Sequence, residues 1–220
     1  MLLEALEWLV TPCPWTARWD GSLARQIAIR HRHHRCRAAW ADHLARSRSQ
    51  VQKCQNRLAG GLMVVLGSGH LNDVPAPPSG FRSVLVDLVH PVEIQIAAAC
   101  SRGRLVLETA DVFEVSSRLQ SVIAAADFCV SAGLLSQLAL DPRSGPGPGT
   151  AALHWKLLSS ARHSLLITDV AARSHPGEAW DPLFDSSALP EPCAEWIWPL
   201  IPDGESPQGP QERLVRAFQH

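Results

Sequence analysis

An apolar stretch, Leu62 to Leu66, runs straight into Gly67, Ser68 and Gly69, and Asp87 closes a second apolar run, SVLVD, twenty residues after Gly67. Two glycines let the backbone turn sharply off a strand end and come close to a ligand. A carboxylate at the end of the neighbouring strand accepts hydrogen bonds from both hydroxyls of a ribose. The pair therefore suits a nucleotide-type ligand at the mouth of a parallel sheet. Each residue also has a plainer use, the glycines in a turn and Asp87 as a helix cap or a solvated strand end.

The elements that must hold these residues follow from hydrophobic periodicity. Residues 22–58 lack Pro and Gly, and Leu23, Ile27, Trp40, Leu44, Val51 and Leu58 recur at helical spacing, so one or two amphipathic helices precede the sheet. From residue 62 short apolar runs at 62–66, 83–86, 104–107, 127–130 and 164–168 alternate with helix-like or loop segments, which implies an α/β domain with a parallel sheet covered by helices. Helices are expected over 91–102, with Pro91 in the first turn, over 134–140 and over 151–162. The SGPGPG run at 144–149 reads as a flexible break, and 171–193 as a surface excursion. The runs EWIWPLIP (195–202) and ERLVRAF (212–218), joined by a turn-rich segment, form an antiparallel hairpin at the sheet edge. After Gly69 the prolines at 75, 77 and 78 leave room for about one helical turn at most.

The 220 residues are expected to divide into an N-terminal helical extension, 1–59, and an α/β domain, 60–220. Twenty basic residues nearly balance 21 acidic ones. The balance is local, however: between Arg25 and Arg57 eight Arg, one Lys and four His face a single acid, Asp42. The six cysteines show no CxxC spacing, which argues against a disulfide or zinc framework and for a reducing, cytoplasmic setting. No segment has the roughly 20 apolar residues of a membrane span, and no membrane partner is expected. The run His31, His33, His34 and Cys36 has metal-ligand residue types, but a helix turns His33 away from His31 and supplies no nearby carboxylate, so a solvated basic face is the better reading. Trp8, Trp15 and Trp19 flank Pro12 and Pro14 in a segment that packs over the body.

The motifs VVLGSGHL (64–71), VLVDL (84–88), LETADV (107–112), DFCVSAGLLSQL (127–138) and SLLITD (164–169), over about half the chain, resemble the successive strand-end motifs of class I S-adenosylmethionine-dependent methyltransferases. The resemblance implies a Rossmann-like, mostly parallel seven-stranded sheet in the order 3-2-1-4-5-7-6, helices on both faces, and S-adenosylmethionine as cofactor over the ends of strands 1, 2 and 4. It assigns Gly67, Ser68, Gly69, Asp87, Leu88 and Asp111 to the cofactor, Asp111 near the adenine. It turns Ser131, Ser136 and Gln137 toward the methyl-transfer centre, although Ser and Gln at a helix start are commonly surface residues and none is a strong base. Val65 and Leu71 stand where the family commonly carries an acid and a third glycine.

The sequence thus points to a methyltransferase with a small-molecule acceptor. Val65, Leu71 and the shortened helix favour an alternative, an inactive methyltransferase-like fold that binds or scaffolds. The basic stretch 25–57 favours a third, nucleic-acid binding or modification. Against that third reading, the same stretch must bury its apolar positions and offers only Trp40 for base stacking. In the resembled family such helices pack over the cofactor mouth, and residues 22–58 are expected to form a lid.

Overall fold

The computed structural model describes residues 2–112, 114–140 and 149–220, so the break expected at 144–149 lies outside the described residues except for Gly149. Four helices come first: α1 (Leu2–Val10), α2 (Trp15–Trp19), α3 (Ser22–Arg35) and α4 (Arg37–Gln55). Strands and helices then alternate as β1 (Gly61–Leu66), β2 (Phe81–Asp87), α5 (Val92–Cys100), β3 (Leu105–Thr109), α6 (Ser117–Ala124), β4 (Phe128–Ala132), α7 (Leu135–Leu140), α8 (Gly149–Leu158) and β5 (Ser164–Arg173). The two-residue β6 (Asp181–Pro182), β7 (Ala194–Ile201) and β8 (Gln211–Gln219) complete the chain.

The eight strands among the described residues join one sheet in the order β3-β2-β1-β4-β5-β8-β7, with β6 paired to β5. The first five are parallel, and β8 runs antiparallel between β5 and β7. This is the order expected from the sequence, with the last two strands renumbered by the short β6. The central strands are apolar on both sides because both faces are covered. Met63, Val65, Phe128, Val130, Leu165 and Ile167 face Val51 and Cys54 of α4 and Ile94 of α5. Val64, Leu66, Cys129 and Leu166 face Leu119 and Ile123 of α6, Leu135 of α7 and Leu158 of α8. Packing therefore runs across residue 59: α4 belongs to the core of the sheet, while α1, α2 and α3 meet around Ala17, Leu23 and Ile27.

Three local expectations change. Pro91 is the N-cap of α5, because its ψ of 150° is extended and the helix begins one residue later. The excursion expected from residue 171 starts after Arg173, since Ala171 and Ala172 still pair with β8 and with β6. A helix not singled out in the sequence, α6, is capped by Ser116, whose hydroxyl accepts a hydrogen bond from the Leu119 amide.

Between β1 and β2 there is no helix, in keeping with the three prolines. Val74 plugs the sheet face instead. The connection is pinned from outside by Arg48, which donates to the Asn72 carbonyl at 2.8 Å, and by His43, whose Nε2 lies 2.9 Å from the Asp73 carboxylate. His43 Nδ1 accepts from Trp196 Nε1 at 3.0 Å, so the loop, α4 and β7 are tied through one buried imidazole.

Candidate functional site

The strand ends are level. Leu66 pairs with Val86 on one side and with Ser131 on the other, and Asp87 pairs with Thr109, so Gly67, Asp87, Asp111 and the β4 motif emerge at the same end of the sheet. Gly67 has φ +65° and Gly69 φ +44°, conformations that side chains resist. Their surroundings differ. A Cβ on Gly67 would lie 2.9 Å from Leu134 Cβ, so the close approach at Gly67 is made by the protein's own β4 loop, whereas nothing lies within 4 Å of a Cβ on Gly69. Leu71, standing where a third glycine is common, keeps a left-handed φ of +55°, so the loop follows a glycine path at a cost of roughly 1–2 kcal/mol.

Asp87 is the hinge of the site. Its Oδ2 accepts the Gly69 N–H at 2.7 Å and its Oδ1 the Val89 N–H at 3.3 Å, which fixes the carboxylate against the glycine loop. Burial pushes its pKa up, against the opposing pull of those amides. Around it lie buried polar atoms without close protein partners: Ser68 Oγ, His70 Nε2 and the ring of His90, which the Glu108 backbone approaches. Ser68 and His90 are each only 5% exposed. Burial holds His90 below the usual imidazole range, although Asp87 pulls the other way. Leaving such groups unpaired in the interior costs about 1–3 kcal/mol each, and here they gather beside a carboxylate at the strand ends, whereas Ser47, Ser83 and Ser164 are single unpaired hydroxyls elsewhere. Asp111 lies two residues beyond β3, half-buried in the loop that follows.

The N-terminal helices close over this end. Leu88 and Val89 pack against Leu23 and Ile27 of α3 and Trp8 of α1, and Gln26 donates to the Val89 carbonyl at 2.7 Å. Charges lock the contact. Arg30 pairs with Glu7 at 2.6 Å and reaches Glu93 at 3.9 Å, while Glu93 lies 2.7 Å from His70 Nδ1. Burial would push Glu93 up, but its own backbone amide, His70 and Arg30 outweigh it and hold the carboxyl below its usual range. Of the expected lid 22–58, α3 lies over the site; α4 packs on the sheet against β7, β4 and β5.

The residues expected at the transfer centre are internally engaged. Ser131 is fully buried, and its hydroxyl lies 3.0 Å from Nε2 of His154, which burial depresses to about 4. It has no surface for a ligand to touch, because its side of β4 is covered by α8. Ser136 donates its hydroxyl to Asp169 Oδ1, and Asp169 Oδ2 lies 3.8 Å from Arg213 Nε. Gln137 is exposed and donates to the Gly133 carbonyl of its own turn at 2.7 Å.

Sequence reasoning missed His70, His90, Glu93, Asp169 and Arg213. The His90-Pro91 pair directly after VLVDLV was the one local signal available. Among the described residues no three His, Cys, Asp or Glu side chains gather to hold a metal. In the former HRHHRC run, His31 lies 3.2 Å from Glu7 and His33 stacks on Trp40. Much of the basic stretch is used internally: Arg30 on Glu7, Arg35 on Glu205, Arg46 on Asp42 and Arg48 on Asn72. No helix among the described residues is long and apolar enough to cross a membrane.

No family model matches the sequence, and no curated protein is significantly similar to it. Solved structures do share its fold. The 1,6-didemethyltoxoflavin N1-methyltransferase of Burkholderia thailandensis, crystallised with 1,6-didemethyltoxoflavin and S-adenosylhomocysteine, is similar at 19% identity over 94% of this chain and 92% of that one, with a TM-score of 0.53. The N-methyltransferase NodS from Bradyrhizobium japonicum WM9, in complex with S-adenosylhomocysteine, shows 14% identity over 100% of this chain and 97% of that one, with a TM-score of 0.46. On the strength of the first of these and of the strand order, the chain has the class I S-adenosylmethionine-dependent methyltransferase fold.

Proposed function

We propose that this chain is an S-adenosylmethionine-dependent methyltransferase acting on a small molecule. The observation that carries the reading is the set of unpartnered polar atoms on Ser68, His70 and His90 gathered around Asp87 at the switch point of the sheet. In open α/β sheets ligands bind at that crevice. The donor supplies a methyl group on a sulfonium sulfur, transferable by in-line displacement. The chain's task is to position and to exclude water. Asp87 suits ribose hydroxyls, Gly69 leaves open space beside the loop, Leu88 and Asp111 flank the adenine side, and Ser68, His70 and His90 offer further hydrogen bonds. A dinucleotide fits less well, because no helix N-terminus follows Gly69 to receive a pyrophosphate.

The N-terminal helices act as the cap over this cofactor, with α3 as its working face. Ser136 and Gln137 belong to the acceptor side in this reading, and Ser131 supports them from within. A solvated or internally paired role for the basic residues is favoured over nucleic acid by the ion pairs that already use them.

A second reading, a binding protein without turnover, is favoured by one observation: Leu134 fills the approach at Gly67. Calorimetric titration with S-adenosylmethionine, S-adenosylhomocysteine and NAD tests the main reading. Saturable binding of S-adenosylhomocysteine, tighter than NAD, is the expected result. Absence of binding at millimolar ligand by folded protein would sink it. Conversion of labelled S-adenosylmethionine in the presence of a small-molecule extract separates the enzyme from the silent binder.

A further inference from the structure

A second group of unsatisfied atoms lies away from Asp87, on the antiparallel half of the sheet. Arg213 on β8 and Trp198 on β7 are paired in register. The Arg213 side chain is 13% exposed, and its Nη2 donates to Gln211 Oε1 at 3.0 Å. Its Nε and Nη1 have no hydrogen-bond partner, and neither has Trp198 Nε1. Asp169 Oδ2 comes to 3.8 Å of Arg213 Nε, close enough to attract the charge but too far for a hydrogen bond. The other oxygen, Oδ1, is taken by Ser136. A half-buried guanidinium is therefore left with its inner donors unused, beside an indole N–H in the same condition. Removing donors from water without pairing them is unfavourable, most of all for an ion.

Their place in the fold gives this meaning. Ala132, the last residue of β4, pairs with Ile167 of β5, so Asp169 stands two residues beyond the β4 end on the adjacent strand. The β5–β8 register shifts between Asp169 and Ala171, an irregularity that re-aims side chains next to sites. Arg213 and Trp198 thus border the reaction side of the sheet, on the flank opposite Asp87. Their surround is aromatic: the Trp198 ring stacks on His43 with centroids 4.1 Å apart and meets Trp40 edge-on at 5.0 Å. All three free nitrogens are donors, so the missing partner is an acceptor-bearing group, and the cation among them selects a negative one.

Resting on the methyltransferase reading above, we infer that the methyl acceptor is a small aromatic carboxylate whose carboxylate is held by Arg213 and Trp198. The donors are closed off from solvent, so the ligand reaches them by displacing the side chains that cover them. Arg213 and Trp198 bind and orient the acceptor and take no part in the transfer itself.

The test titrates the full chain, saturated with S-adenosylhomocysteine, with benzoate and with its neutral isostere benzamide. Wild type is expected to bind benzoate at least about tenfold more tightly than benzamide, in line with a charge-assisted pair. Arg213→Gln should abolish that preference with S-adenosylhomocysteine affinity unchanged. Trp198→Phe, which keeps the ring and removes the donor, should weaken benzoate severalfold, and it serves if Arg213→Gln does not fold. Wild type that binds S-adenosylhomocysteine but shows no benzoate preference overturns this inference and leaves the cofactor reading standing. The same holds for a folded Arg213→Gln that keeps the preference. Failure of wild type to bind S-adenosylhomocysteine removes the cofactor reading, and this inference with it.

Discussion

The two ends of the switch crevice are built on opposite principles. On β4 and α7 the three polar side chains expected at the transfer centre all have partners: Ser131 with His154, Ser136 with Asp169, Gln137 with the Gly133 carbonyl. On the β1–β2 side Ser68, His70 and His90 carry unpaired atoms around a carboxylate that burial holds above its usual range. The contrast teaches that a motif position alone does not mark a ligand contact. Unspent hydrogen-bonding capacity in a buried place is the better sign, because a folded protein tolerates it only at a cost.

The largest expected effect would sharpen the structural side of the contrast. His154 is held neutral by burial, to about 4, whereas in the unfolded chain it titrates near 6.5. The folded value is the depressed one. Stability from this group is therefore complete above about 6.5 and is lost as pH falls toward about 4, by up to about 3 kcal/mol. Urea unfolding across that window should show the loss, and His154→Gln should flatten it. An unchanged slope in the variant would remove His154 as its source.

Next comes Asp87→Ala, which should lower S-adenosylhomocysteine affinity roughly ten- to hundredfold, the worth of about 1.5–3 kcal/mol for hydrogen bonds to a charged group. Because Asp87 must be ionised to accept two hydroxyls and its pKa is raised, wild-type affinity should also weaken as pH drops through that raised value. Affinity indifferent to both changes would break the contrast, since the β1–β2 end would then be no more a ligand site than the β4 end.

Ser131→Ala is expected to cost about 1–3 kcal/mol of stability by stranding His154, with S-adenosylhomocysteine affinity unchanged. A selective loss of affinity at full stability would return Ser131 to the ligand. The smallest effect belongs to Gln137→Ala, an exposed side chain bonded to its own turn. Stability should move by less than about 0.5 kcal/mol, with donor affinity constant. Weaker donor binding in calorimetry would place that segment against the cofactor.

Much of this molecule was legible in its sequence. The apolar runs of β1, β2 and β4 are long enough and bounded clearly enough to name buried parallel strands, and the terminal hairpin fixed the antiparallel edge. The absence of a helix after Gly69 follows from Pro75, Pro77 and Pro78, whose rings forbid it locally. Gly67 and Asp87 at adjoining strand ends were likewise a matter of spacing.

Only the tertiary structure decided which of those residues face a ligand. Phe128 to Val130 are apolar at every position, since β4 is covered on both sides, so no alternation told which way Ser131 points; α8, arriving some twenty residues later, claims it through His154. His70 comes from the β1–β2 connection and meets Glu93 from the stretch after β2, which also carries His90, and Asp169 meets Arg213 across 44 residues of chain. Local propensity acts between near neighbours, but unpaired donors are revealed only when packing has excluded water and every nearby partner has been assigned.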